Sequence, residues 1–158
     1  MIKLFDPIVS KKEEKALIDT FRSHFWASGE GTNSVYNFEQ KFKKYVGAKE
    51  CVAVNSGTAA LSLALSMYNI KNKEVIIPSL SFVSTANAII ENGGIPKFVD
   101  IDENTLCIDP EKIIKAITKK TKVILPVHFG GLASNLKSIL KRAKEHKIPL
   151  VEDAAHAA

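Results

Sequence analysis

Apolar positions recur at two different periods along this chain, and the change falls near residue 50. Leu17, Phe21 and Phe25 have the spacing of one helix face, and Ser10-Lys-Lys-Glu13 ahead of them has the form of a capping box. A second helical stripe, Phe38, Phe42 and Tyr45, is closed by Gly47. Between the two stripes, Trp26-Ala-Ser-Gly29 runs into Glu30-Gly-Thr-Asn-Ser34, a polar loop. From Cys51 onward short apolar runs alternate with helical stripes. Strands are expected at Cys51–Val54, Val75–Ile77, Pro96–Val99, Val123–Val127 and around Leu150. Helices are expected at Ala59–Met67, from the Pro78–Phe82 turn to Gly93-Gly94, after the Asp109-Pro110 start, and at Leu136–Lys147. Ile113, Ile114 and Ile117 should be buried in the third of these, and Leu136, Ile139, Leu140 and Ala143 in the fourth.

Five strands separated mostly by helices imply an α/β fold, a mostly parallel sheet with helices on both faces and right-handed crossovers. Residues 1–50 read as an amino-terminal helical segment and 51–158 as the alternating strand and helix core of one large domain. The last expected strand has no helix after it to cover it, so the 158 residues are expected to be the front portion of a larger domain.

Composition changes this picture little. It is that of an ordinary globular domain, 46% hydrophobic and 25% charged. The net charge of +5 comes from lysines spread over helical stretches, with no aromatic-interleaved basic stripe, which argues against nucleic acid as a partner. The uncharged run Cys51 to Ile70 is broken by Asn55, Ser56, Gly57, Thr58, Ser62 and Ser66, which argues against a membrane span. Cys51 and Cys107 have neither metal-ligand nor disulfide-framework spacing, and the first residues lack a secretory layout, so the expected compartment is the cytoplasm.

The candidate chemistry sits in the turns. Pro149-Leu-Val-Glu-Asp-Ala-Ala-His156 reads as a buried parallel strand presenting Asp153 at its carboxyl end, with His156 about one turn further on. A strand-end carboxylate suits a cationic ring nitrogen; the plainer alternative is a helix N-cap and a surface histidine. Asn55-Ser-Gly-Thr58 lies between a strand and a helix, where Gly57 and Thr58 suit an anion such as phosphate, or simple capping. Phe82 follows another strand on the same expected edge and could stack on a planar cofactor. Taken singly, Phe82 and Trp26 both read better as core aromatics. Asp100, Asp102, His128 and His156 have no spacing that enforces a metal site, and no G-x-S-x-G elbow supports a hydrolase.

Five ordered motifs sharpen the reading: Trp26-Ala-Ser-Gly29, Asn55-Ser-Gly-Thr-Ala-Ala-Leu61, Pro78-Ser-Leu-Ser-Phe-Val-Ser-Thr-Ala-Asn87, Pro126-Val-His-Phe-Gly-Gly131 and Glu152-Asp-Ala-Ala-His-Ala157. The set resembles the amino-terminal part of the DegT/DnrJ/EryC1/StrS family, nucleotide-sugar aminotransferases of fold type I that use pyridoxal 5'-phosphate (PLP). The resemblance implies that Gly57 and Thr58 bind the cofactor phosphate and Phe82 stacks on its ring. It implies that Asp153 pairs with the ring nitrogen and that His156 lies near the phenolic oxygen. Trp26, Ser28 and Gly29 would lie near the sugar.

By the same resemblance the substrate is a keto nucleotide sugar, 4-keto favoured, in polysaccharide or other glycan biosynthesis. The amino donor is an amino acid, usually glutamate, and the enzyme is a homodimer with sites at the subunit interface. The Schiff-base lysine and the C-terminal small domain of the family lie beyond Ala158, so these residues alone should not transaminate. Two alternatives stay open: a sugar dehydratase of the same family, with histidine in place of the lysine, and a non-catalytic α/β module that binds a phosphorylated ligand.

Overall fold

A computed structural model of the chain describes residues 6–26 and 34–157. The chain divides into two compact units, residues 1–53 and 54–158.

The first unit is helical. Helix α1, Lys11–Arg22, begins at the expected capping box: the Ser10 hydroxyl accepts from Lys12 N at 3.2 Å, and Glu13 accepts from Ser10 N at 2.7 Å. The Ser10 hydroxyl, which also donates to the Glu13 carboxylate, is the chief cause holding that carboxyl below its ordinary pKa, with the backbone N–H groups of Glu13 and Ser10 adding to it. Helix α2, Ser34–Val46, ends where Gly47 turns to φ +69° and Ala48 N reaches back to Lys43 O at 3.0 Å. Neither helix contains a buried residue, and Leu17, Phe21 and Phe25 are all exposed. Two helices alone cannot enclose an apolar stripe from both sides, so the aromatics pair along the surface instead. Phe21 stacks on Trp26 at 5.9 Å, and Phe38 on Phe42 at 5.5 Å.

The second unit is the sheet. Strands β1 (Glu74–Pro78), β2 (Ile95–Val99) and β3 (Thr121–Ile124) are parallel in the order β2-β1-β3. Residues 149–153 lie alongside β3 as a fourth parallel segment: Ile124 N donates to Pro149 O and Val151 N to Ile124 O, both at 3.1 Å. Bridges at Ile124–Leu150 and Val127–Asp153 mark its ends, so the expected last strand is present as two isolated bridges. The expected first strand, Cys51–Val54, is not formed. An extended run becomes a strand only when a neighbour completes its ladder. Here the Ala53 N–H goes instead to the Glu39 carboxylate at 2.8 Å.

Four helices cover the sheet: α3 (Gly57–Ser66), α4 (Val83–Glu91), α5 (Pro110–Ala116) and α6 (Leu136–Glu145). The period of two along the strands decides which helix each residue meets. Val75, Ile77, Val123, Leu125 and Val127 pack with Leu61, Leu65, Ala88 and Ile89 of α3 and α4. Ile76 and Ile124, one position out of phase, pack with Ile113 of α5 and Ile139 and Ala143 of α6 on the opposite face. Helices on both faces follow from runs that are apolar at every position. Ile114, Ile117 and Leu136 are half-buried and Leu140 is exposed, because each lies at the margin of its helix's buried stripe. Among the described residues no helix is long and apolar enough to cross a membrane.

Candidate cofactor site

All the strands run the same way, so every strand-to-helix turn opens at one edge of the sheet. At that edge a cleft of about 410 Å³ is lined by Gly57 and Thr58 of α3, Ser81 and Phe82 before α4, Phe129 after β3, and Asp153 and His156 beyond the fourth segment. The sequence expectation singled out Gly57, Thr58, Phe82, Asp153 and His156, and all five meet here.

Helix α3 presents its N-terminus to the cleft. The Ser56 hydroxyl caps Ala59 N at 3.2 Å, and Ala60 N makes the first intrahelical turn to Ser56 O at 3.0 Å. The N–H groups of Gly57 and Thr58 precede that turn and remain available to an anion. A Cβ added at Gly57 would meet nothing within 4 Å, so no protein packing demands glycine there. Space left by a missing side chain at a helix N-terminus suits a group that approaches the backbone closely.

Phe82 is the N-cap residue of α4 and is 75% exposed. It is not the core aromatic that the single-residue reading favours, because the turn after β1 carries it past the packed interior to the cleft wall. Asp153 is 8% exposed and lies in the sheet: its N–H donates to Pro126 O at 2.9 Å and its O accepts from His128 N at 3.1 Å. Its carboxylate accepts from Thr85 Oγ1 at 2.9 Å on Oδ2 and from Ala155 N at 3.3 Å on Oδ1. A charged side chain this deep requires such partners.

His156 is oriented by the Gly-Gly turn after β3. Gly130 N donates to His156 Nδ1 at 3.2 Å, and Phe129 meets the imidazole edge-on at 5.9 Å. Gly131 has φ +86°, and a Cβ there would come within 2.8 Å of His156 O, so both conformation and space require glycine. With Nδ1 accepting, Nε2 is the nitrogen left to donate.

Behind the cleft, His128 is buried and fully engaged. Ser134 N donates to its Nδ1 at 3.1 Å, and its Nε2 lies 2.9 Å from Glu152 Oε2. A backbone N–H can only donate, so Nε2 is the donor to Glu152. The link braces Glu152, next to Asp153, against the turn after β3. Asp100 pairs with Lys112 at 2.8 Å, and Asp102 caps its own loop through Asn104 N at 2.9 Å and Thr105 N at 3.0 Å. These contacts hold both carboxyls below their ordinary pKa: the Lys112 hydrogen bond chiefly for Asp100, the backbone N–H groups for Asp102.

Trp26 belongs to the first unit, is 65% exposed, and donates its indole N–H to Phe21 O at 3.0 Å. It is therefore a surface aromatic and not core filler. Ser28 and Gly29 lie outside the described residues. Sequence reasoning passed over Ser81, Thr85 and Phe129. Ser81 and Phe129 each adjoin a residue that was singled out, whereas Thr85 reads as an ordinary first-turn helix residue.

Residues 7–158 match the DegT/DnrJ/EryC1/StrS aminotransferase family, and the chain belongs to it. Over 152 residues it is 47% identical to the spore coat polysaccharide biosynthesis protein SpsC of Bacillus subtilis (strain 168), covering 96% of this chain and 38% of that protein. The crystal structure of 3-amino-5-hydroxybenzoic acid (AHBA) synthase superposes with a TM-score of 0.91 at 36% identity, covering 96% of this chain and 39% of that one. GDP-4-keto-6-deoxymannose-3-dehydratase, solved with a trapped PLP-glutamate geminal diamine, superposes at 0.89 with 33% identity, covering 98% and 41%. The chain thus has the fold of these fold type I proteins over about two fifths of their length.

Proposed function

We propose that this chain supplies the cofactor-binding face of a PLP-dependent enzyme that transfers an amino group to a keto nucleotide sugar. The observation that carries the proposal is the cleft itself. A helix N-terminus with free N–H groups, an exposed aromatic ring and a buried carboxylate converge there from separate parts of the sequence.

The residues fit the cofactor. Gly57 and Thr58 offer N–H groups, and Thr58 a hydroxyl, to a phosphate at the positive end of α3. Phe82 offers an open face for a planar ring, and the Asp153 carboxylate is suited to hold a proton on a ring nitrogen. His156 Nε2 would donate toward an oxygen on the ring's margin. Bound PLP supplies an electron sink for charge developing at a substrate carbon. The chain's own residues would anchor that group by its phosphate, stack on its ring and hold a proton on its nitrogen.

Among the described residues no lysine lines the cleft. We assign the Schiff-base lysine to a part of the protein outside residues 1–158, and with it the small domain and the completed active site. Glutamate as donor, a 4-keto sugar, a role in polysaccharide biosynthesis, a homodimer and a cytoplasmic location complete the reading. A dehydratase is the second reading, supported by the likeness to GDP-4-keto-6-deoxymannose-3-dehydratase. The residue that occupies the lysine position decides between the two.

The test is to add PLP to the purified whole protein and follow its absorbance, in wild type and Asp153→Asn. The expected result is a perturbed spectrum in wild type, with turnover greatly weakened and circular dichroism unchanged in the variant. An unperturbed PLP spectrum would establish the non-catalytic module instead, and near wild-type turnover in Asp153→Asn would remove Asp153 from the site.

A further inference from the structure

Beneath the cleft lies a hydroxyl that the proposed chemistry does not yet use. Thr85 is completely buried, in the first turn of α4, three residues after Phe82. A threonine on a helix commonly turns its hydroxyl back to a carbonyl of the preceding turn. Thr85 instead reaches across to Asp153, 68 positions away in sequence, with Oγ1 at 2.9 Å from Oδ2. The same oxygen lies 2.6 Å from Ser81 Oγ.

The direction of this chain of hydroxyls follows from counting protons. An ionised carboxylate has none to give, so Thr85 donates to Asp153. Thr85 has a single proton, so in the contact with Ser81 it is Ser81 that donates; Ser81 Oγ also lies 3.3 Å from Phe82 O, a much longer contact than the 2.6 Å to Thr85 Oγ1. The order is Ser81 to Thr85 to Asp153, beginning at a residue of the cleft wall and ending at its buried carboxylate. The Ala155 N–H, at 3.3 Å, holds the other carboxylate oxygen more loosely. The turn that carries the exposed Phe82 ring is thus also the turn that grips Asp153.

Resting on the PLP reading above, we propose that Thr85, its rotor set by Ser81, is the positioning residue that fixes the Asp153 carboxylate relative to the Phe82 face. A protonated heteroaromatic nitrogen lying on Phe82 then meets a carboxylate oxygen already in place. Thr85 touches neither cofactor nor substrate and acts through Asp153 alone.

A double-mutant cycle on PLP affinity tests this in the whole protein. Thr85→Val keeps the shape and loses the hydroxyl, and should weaken PLP about tenfold, the loss of one charge-assisted hydrogen bond's positioning. Thr85→Ser should restore affinity, and in an Asp153→Asn background Thr85→Val should add nothing further. A purely structural role would instead weaken PLP by the same factor in both backgrounds, and that result overturns the proposal. So does unchanged affinity in Thr85→Val. If Thr85→Val fails to fold, Ser81→Ala decides by the same rule: it must weaken PLP in wild type and not in Asp153→Asn. Should Asp153→Asn itself bind PLP like wild type, Asp153 is removed from the site and the present inference falls with it, whereas an unperturbed PLP spectrum in wild type sinks the cofactor reading. An effect of Asp153→Asn without one from Thr85→Val sinks only the present inference.

Discussion

Gly57→Ala separates what the fold needs from what a ligand needs, because the two predict opposite signs. Gly57 is the first residue of α3, and a Cβ built there meets nothing within 4 Å. Its φ lies outside the left-handed region, so alanine adopts the backbone without strain. Alanine also narrows the unfolded ensemble, which stabilises a protein by about 0.4–1 kcal/mol when the native conformation is compatible. In a domain of about 150–250 residues this corresponds to a rise of about 1–4 °C in the melting temperature of the cofactor-free protein. The methyl group, however, stands at the mouth of the helix N-terminus, where a phosphate would approach the Gly57 and Thr58 N–H groups. Displacing it from one charge-assisted hydrogen bond costs about 1.5–3 kcal/mol, or roughly tenfold to a hundredfold in affinity. Thermal melts without ligand read the first effect and fluorescence titration with PLP the second. Pyridoxal, which lacks the phosphate, serves as control and should bind wild type and variant equally. A destabilised cofactor-free protein would refute the packing argument. Unchanged PLP affinity would refute the placement of the phosphate.

Three further outcomes are expected. Gly94→Ala would put a Cβ at 2.8 Å from Ile89 Cγ2 and 2.9 Å from Ile70 Cδ1, both fully buried, so denaturant melts should show a loss of about 1–3 kcal/mol; an unchanged midpoint would mean the core gives way freely. Glu74 accepts from Thr118 Oγ1 at 2.6 Å and from Lys97 Nζ at 3.3 Å, and these contacts, the Thr118 hydrogen bond foremost, hold its carboxyl below the ordinary value of 4.5. Its stabilisation is therefore complete above that value and lost as pH falls through the lower folded pKa, so the stability gap between wild type and Glu74→Gln should close on acidification; a gap that stays constant would contradict the assignment. Finally, borohydride treatment of these 158 residues with PLP should give no stoichiometric adduct, and mass analysis locating one on a single lysine would show that the Schiff-base residue lies within them.

Features set by neighbours in sequence were legible, and features set by partners far along the chain were not. Ser10 with Glu13, and Asp109 with Pro110, mark helix starts because a cap closes within four residues. Val75-Ile76-Ile77 announces a strand covered on both faces because all three residues are apolar. Cys51–Val54 has equally good strand composition, yet strand formation depends on a ladder partner that composition does not encode. Phe82 and Trp26 fail as core aromatics for a related reason: burial of a turn residue depends on where the turn leads. Thr85 lies within a quoted motif yet reads only as a helix residue, since its meaning lies in a carboxylate 68 residues away.

The five residues that meet at the cleft were nevertheless singled out from signals that are weak one at a time, and topology explains in part why they add. In a parallel sheet each turn after a strand opens at the same edge, which brings together the motifs at Phe82, Phe129 and Asp153; Gly57 and Thr58 reach the same cleft at the N-terminus of α3, which no formed strand precedes. Strand order then selects among them. Asp100 and Asp102 also follow a strand at that edge, but β2 is the outermost strand in the order β2-β1-β3, with residues 149–153 beyond β3. At about 4.8 Å per strand they stand roughly 14 Å from the segment that carries Asp153. Their carboxylates go to Lys112 and to a local loop instead. Sharing an edge makes a turn a candidate for the site, and distance from the segment that carries Asp153 limits which turns reach it: those after β1 and β3 line the cleft, and the one after β2 does not.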